Sequence, residues 1–121
     1  MSAADKFSEN GQEAPLTPVV FNILLTLADG EKHGYGIMQE VKELTQGRVV
    51  MGPGTLYGSL DRMLKAGYIT ESAERPAAKD DDERRRYYRL TASGLRALKT
   101  ETNRLARLVS FARTKKLLGS S

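Results

Sequence analysis

The stretch GPGTLYGSLDRMLKAGYI, from Gly52 to Ile69, decides how the chain is read. Leu56, Leu60, Met63 and Leu64 recur at the spacing of one helix face, and Gly67 stops the pattern. With that face turned to a core, Thr55, Gly58, Ser59, Arg62 and Lys65 are expected on the outward surface. Small residues near the start of a helix let its backbone come close to a polyanion, and the helix dipole favours a phosphate there. Gly54 and Gly58 each cost a helix up to ~1 kcal/mol against alanine, so they point to close approach. The plainer reading is a solvent-exposed helix of poor propensity. Asp61 repels phosphate and belongs at the edge, or paired with Arg62 or Lys65. Tyr57 stands between the two faces, either packed beneath the helix or reaching a phosphate with its hydroxyl.

Upstream, Thr17 is a good N-cap and Pro18 suits the first helical position. Leu16, Val19, Val20, Ile23, Leu24 and Leu27 then follow at helical spacing until Gly30. A second helix is expected from about Tyr35 to Thr45, where Ile37, Met38, Val41 and Leu44 share a face and Gly47 closes it. Residues 1–14 are polar, small and aperiodic and read as a flexible tail.

Downstream the period changes to two. Tyr68-Ile69-Thr70 starts an extended run, and Arg85 to Leu90 alternates, with Arg86, Tyr88 and Leu90 on one face and Arg85, Tyr87 and Arg89 on the other. Between them lies a polar tip with Lys79 and the acid run Asp80 to Glu83. Two strands around this loop make a β-hairpin. Arg84, Arg85, Arg86 and Arg89 at its base are natural contacts for a nucleic-acid backbone, while the acidic tip avoids it. A plain solvated charge run is the alternative.

Thr91 then caps a long helix reaching about Leu118. Leu95, Leu98, Thr102, Leu105, Val109 and Ala112 approximate a heptad seam, widened by Leu108 and Phe111. Such a stripe either folds back on its own head or packs against a twofold mate; the heptad spacing favours a homodimer. The fold class expected is mainly α with a small β-hairpin: a winged helix-turn-helix at residues 15–91 and a dimerisation helix at 92–118.

The bulk numbers agree. Of the formal net charge of +4, residues 1–14 hold Lys6 against Asp5, Glu9 and Glu13, 1 − 3 = −2, leaving +6 on the rest. A basic body favours a polyanionic partner. No run approaches the ~20 apolar residues of a membrane span, and the start lacks a signal-peptide core, so the chain reads as cytoplasmic. With no cysteine and the single histidine His33, neither a disulfide nor a metal site is expected, and His33 is assigned to the turn before the second helix. No catalytic triad, phosphate loop or carboxylate pair is present, so neither an enzyme nor a cofactor is expected.

Three segments together resemble the PadR family of bacterial transcriptional regulators: HGYGI (His33 to Ile37), the Gly52–Ile69 stretch, and ERRRYYRLTASGLRAL (Glu83 to Leu98). The likeness runs from about Leu16 to Leu118. It implies a recognition helix holding Thr55, Leu56 and Tyr57, with Tyr35 and Tyr88 also at motif positions, and a C-terminal dimerisation helix as in the family's compact subgroup. It also implies repression from a pseudo-palindromic double-stranded DNA operator, in some members relieved by a phenolic or hydrophobic small-molecule effector. The chain has no Trp, so an indole-sandwich drug site does not carry over. Phe21, Leu105, Leu108 and Phe111 are candidates for a central cavity and equally for plain interface core. The rival to specific DNA binding is a winged-helix adaptor whose basic face docks an acidic protein; the small outward residues argue against it, because interface anchors are usually large.

Overall fold

In a computed structural model, residues 15–72 and 86–119 are described. The tail at 1–14, the acidic tip Asp80 to Glu83, and Lys79, Arg84 and Arg85 lie outside them. The order is α1 (Pro18–Thr26), β1 (Lys32–His33), α2 (Gly34–Leu44), α3 (Pro53–Ala66), β2 (Ile69–Glu71), β3 (Tyr87–Leu90) and α4 (Ala92–Thr114).

Each helix begins where its cap demands. The Thr17 hydroxyl accepts from the Val20 N–H at 3.2 Å, with Pro18 beginning α1. His33 caps α2, its Nδ1 accepting from the Gly36 N–H at 3.1 Å. This ties the only histidine to the backbone before α2. Thr91 caps α4 through a 2.9 Å bond from the Gly94 N–H. Gly67 ends α3 in the left-handed conformation at φ 84°, with the Tyr68 N–H donating back to the Met63 carbonyl at 3.0 Å.

Ile23 and Leu24 of α1, Ile37 and Val41 of α2, and Leu56, Leu60 and Met63 of α3 meet in one core. Ile69 and Tyr88 close it from the sheet, and Leu98 from α4. Burial pushes the Tyr88 phenol above its ordinary value, so it stays a neutral core side chain.

The sheet departs from the expected hairpin. A third strand, β1, pairs antiparallel with β3, Lys32 opposite Tyr88 and His33 opposite Tyr87, giving the order β1-β3-β2. Ile69 faces Leu90 and Glu71 faces Tyr88 across the other side. Two residues are too few for an alternation to register in a sequence, so β1 exists only through its neighbour. The second strand starts at Tyr87 rather than Arg85.

The last helix is shorter than its apolar pattern. It ends at Thr114, not near Leu118, because Lys116 turns left-handed at φ 61° and the Leu117 N–H donates back to the Ala112 carbonyl at 3.0 Å.

Candidate nucleic-acid interface

On α3 the core face is Leu56, Ser59, Leu60 and Met63. Gly52, Pro53, Gly54, Thr55, Asp61, Arg62 and Lys65 are exposed, and Gly58 is half-buried. The first turn therefore presents almost bare backbone, with cations one and two turns further along. Lys65 pairs with Asp61 at 3.1 Å, as its i,i+4 spacing allows.

Ser59 corrects the expectation. It was assigned to the outward face, yet it is 1% exposed. Its position, three residues after Leu56 and four before Met63, falls inside the core stripe rather than opposite it. Its hydroxyl oxygen accepts from Arg62 at 3.3 Å, which lays that guanidinium back along the helix. A Cβ on Gly58 would stand 3.8 Å from the same guanidinium, an ordinary contact.

Tyr57 is 46% exposed and does both things its intermediate position allowed. Its ring lies against the start of α2, so close that a Cβ on Gly34 would overlap its hydroxyl. Gly34 is thus a positioning glycine, and spacing gave no signal for it because the contact joins residues on two different helices. His33, Gly34, Tyr35, Tyr57 and Arg86 line a cavity of about 150 Å³. His33 stands edge-on to Tyr87 at 5.3 Å between ring centres and stacks on Tyr35 at 6.3 Å. Arg86 bonds Glu71 across the sheet at 3.1 Å, which holds the guanidinium at the mouth of this cavity. The structure so gathers Tyr35 and Tyr57 with one arginine of the hairpin base.

Arg89 is not in that group. One residue out of phase with Tyr88, it lines a groove of about 400 Å³ with Leu27, Gly30, Glu31 and Leu95. Arg84 and Arg85 lie outside the described residues.

The seam residues of α4 divide as well. Leu98 is 4% exposed and belongs to the head core with Ile23 and Leu24, which corrects its assignment to a dimer seam. The reason is that the first turns of α4 pack on α1 and β3. Leu95, Leu108, Val109 and Phe111 are exposed, while Leu105 and Ala112 are half-buried. Glu101, 4% exposed, went unforeseen. Its carboxylate accepts from Arg104 at 2.5 and 3.2 Å and from the Leu16 backbone N–H. These bonds, those from Arg104 foremost, hold the carboxyl below its ordinary range.

Among the described residues no helix is long and apolar enough to cross a membrane. Nor does any cluster of His, Asp or Glu among them suit a metal ion.

Known proteins show the same arrangement. A transcriptional regulator from Clostridium thermocellum matches with a TM-score of 0.64 at 27% identity, over 79% of this chain and 90% of that one. PadR of Bacillus subtilis, solved in complex with operator DNA, matches with a TM-score of 0.57 at 26% identity, over 69% of this chain and 45% of that one. An uncharacterized 37.1 kDa protein in transposon TN4556 of Streptomyces fradiae is 36% identical over 86 residues, 71% of this chain. The chain spans only 22% of the length of that relative. The profile of the transcriptional regulator PadR-like family, whose members are regulators rather than enzymes, matches residues 23–100. With four helices, a three-stranded sheet and that match over most of its length, this chain belongs to the PadR-like family of transcriptional regulators.

Proposed function

We propose that this protein is a repressor that binds a pseudo-palindromic DNA operator as a homodimer. The observation that carries the reading is the outward surface of α3: bare backbone at Gly52, Gly54 and Thr55, then Arg62 and Lys65, with nothing large between. A helix N-terminus of that shape enters a major groove and offers unpaired N–H groups to a phosphate. Tyr57 and Arg86, sharing one cavity at the edge of this surface, supply a hydroxyl and a guanidinium for the flanking backbone. The wing arginines Arg84 and Arg85 continue the same role. The B. subtilis protein solved with operator DNA has this fold at 26% identity, which supports the assignment.

The homodimer forms through the distal half of α4, where Leu105, Leu108, Val109, Phe111 and Ala112 offer an apolar stripe. In such a dimer two α3 helices enter successive major grooves roughly 34 Å apart along the duplex. Residues 15–91 then form the DNA-binding unit and 92–118 the dimerisation unit. A hydrophobic or phenolic effector acts on this dimer by changing its affinity for the operator.

Selection of bound sequences from random DNA tests the reading. A twofold-symmetric motif is expected, bound about 10³-fold or more above non-specific DNA at physiological salt. Arg62→Ala then relaxes preference at one base position, whereas Arg86→Ala weakens all sequences alike and lowers the salt slope by about 1. A retained pool without any motif overturns the proposal.

A further inference from the structure

Two motifs of the sequence meet at one point. Gly67-Tyr68-Ile69 ends α3, and Arg89-Leu90-Thr91, followed by Gly94, begins α4. The Thr91 hydroxyl donates to the Gly67 carbonyl at 2.6 Å, the C-cap residue of α3. The same oxygen accepts from the Gly94 N–H in the first turn of α4 at 2.9 Å. Beside it the Thr91 N–H donates to the Tyr68 carbonyl at 3.0 Å. One hydroxyl thus closes the end of one helix and the start of the other. Gly94 is buried, and a Cβ there would overlap the Tyr68 carbonyl oxygen, a backbone atom with no rotamer to yield.

We propose that Thr91 and Gly94 are positioning residues that lock α3 to α4 and thereby set the half-site spacing of the operator. The inference rests on the reading of α3 as the DNA-entering helix and α4 as the dimer helix. In such a dimer the twofold axis fixes α4, so the angle between α4 and α3 decides where each α3 points. The helix spans 14 residues, about 21 Å. A tilt of about 10° at its Gly67 end sweeps its DNA-entering end by roughly 3.5 Å, close to the rise of one base pair. A joint of two backbone contacts and one shared hydroxyl is stiff enough to exclude that tilt, whereas an ordinary loop is not.

The test compares wild type, Thr91→Val, Thr91→Ser and Gly94→Ala by selection from random DNA, with helix content by circular dichroism and mass by sedimentation. Thr91→Val keeps the branched shape and loses both hydroxyl bonds, while Thr91→Ser keeps them. Gly94→Ala pushes the first turn of α4 off Tyr68. The expected result is that Thr91→Val and Gly94→Ala stay folded and dimeric and select the wild-type half-site sequence. They lose the single preferred spacing and bind the wild-type operator at least tenfold more weakly, and Thr91→Ser restores both. A cap that only added stability would lower the melting temperature and leave the spacing alone. If Gly94→Ala does not fold, the Thr91 pair decides. Unchanged spacing in folded Thr91→Val overturns the joint while leaving the operator reading intact. A wild-type pool without a symmetric motif overturns that reading, and the joint with it.

Discussion

The two halves of α4 carry one pattern and meet opposite fates. From Ala92 to Glu101 the helix turns Gly94, Ala97, Leu98 and Glu101 into the head, where all four are buried. Continued at the same three- and four-residue steps, that stripe runs through Leu105, Leu108 and Ala112. There the head no longer lies beneath it, and Phe111 nearby is 61% exposed. Amphipathic spacing declares that a face will be covered; it does not say by what. In the proximal half the cover is the chain's own α1 and β3. In the distal half an apolar face of this kind is a surface for another molecule, and a second copy is the cover proposed above.

The sharpest way to break this contrast is to put the same charge into each half. Leu98→Asp buries a carboxylate in the core and should cost roughly 4 kcal/mol or more, enough to unfold a domain whose whole stability is of order 5–15 kcal/mol. Circular dichroism in urea measures it. Leu108→Asp should leave the head folded but give monomers in sedimentation. A cooperative fold in the first variant, or a stable dimer in the second, erases the distinction between the halves.

Glu101 marks the boundary between the halves. Replacing it with Gln removes the charge-assisted bonds to Arg104 and the Leu16 N–H and should cost about 1–2 kcal/mol at neutral pH. Because the native carboxyl titrates below its ordinary value of 4.5, its stabilisation is complete above that pH. It is lost as pH falls from there through the depressed native value. Acid unfolding curves of Glu101→Gln should therefore fall less steeply below pH 4.5 than wild type. Parallel curves would mean that Glu101 contributes nothing through its charge.

The smallest effect is expected at the far end. Lys115 sits 5.0 Å over the Phe111 ring, and an exposed cation–π contact is worth about 0.5–1 kcal/mol. Lys115→Ala should change thermal stability by no more than that. A larger loss would indicate that the end of α4 is covered in solution, and would sharpen the case for a partner over the distal half.

Much of this molecule was legible in order. Thr17-Pro18, Gly67 and Thr91 signal helix ends through their own chemistry, and each does in the structure what that chemistry requires. The outward cations Arg62 and Lys65 followed from helical period alone. Ser59 did not, because a small hydroxyl residue reads as surface unless its neighbours' phase is weighed against its polarity. His33 as a cap and Lys32–His33 as a strand escaped for a related reason. Each depends on a partner that the sequence places elsewhere, the Gly36 N–H for one and β3 for the other.

By itself the sequence determined which segments are helix and strand, where most of them stop, and that a basic, small-residue surface faces outward. These are local properties, set by side-chain period and by the backbone demands of a few capping residues. Only the tertiary structure decided that Leu98 belongs to the head rather than to a seam, and that Gly34 yields its Cβ space to Tyr57. It likewise decided that one Thr91 hydroxyl serves both α3 and α4. Each of those facts is a distance between residues far apart along the chain, and no spacing along one helix encodes a distance to another.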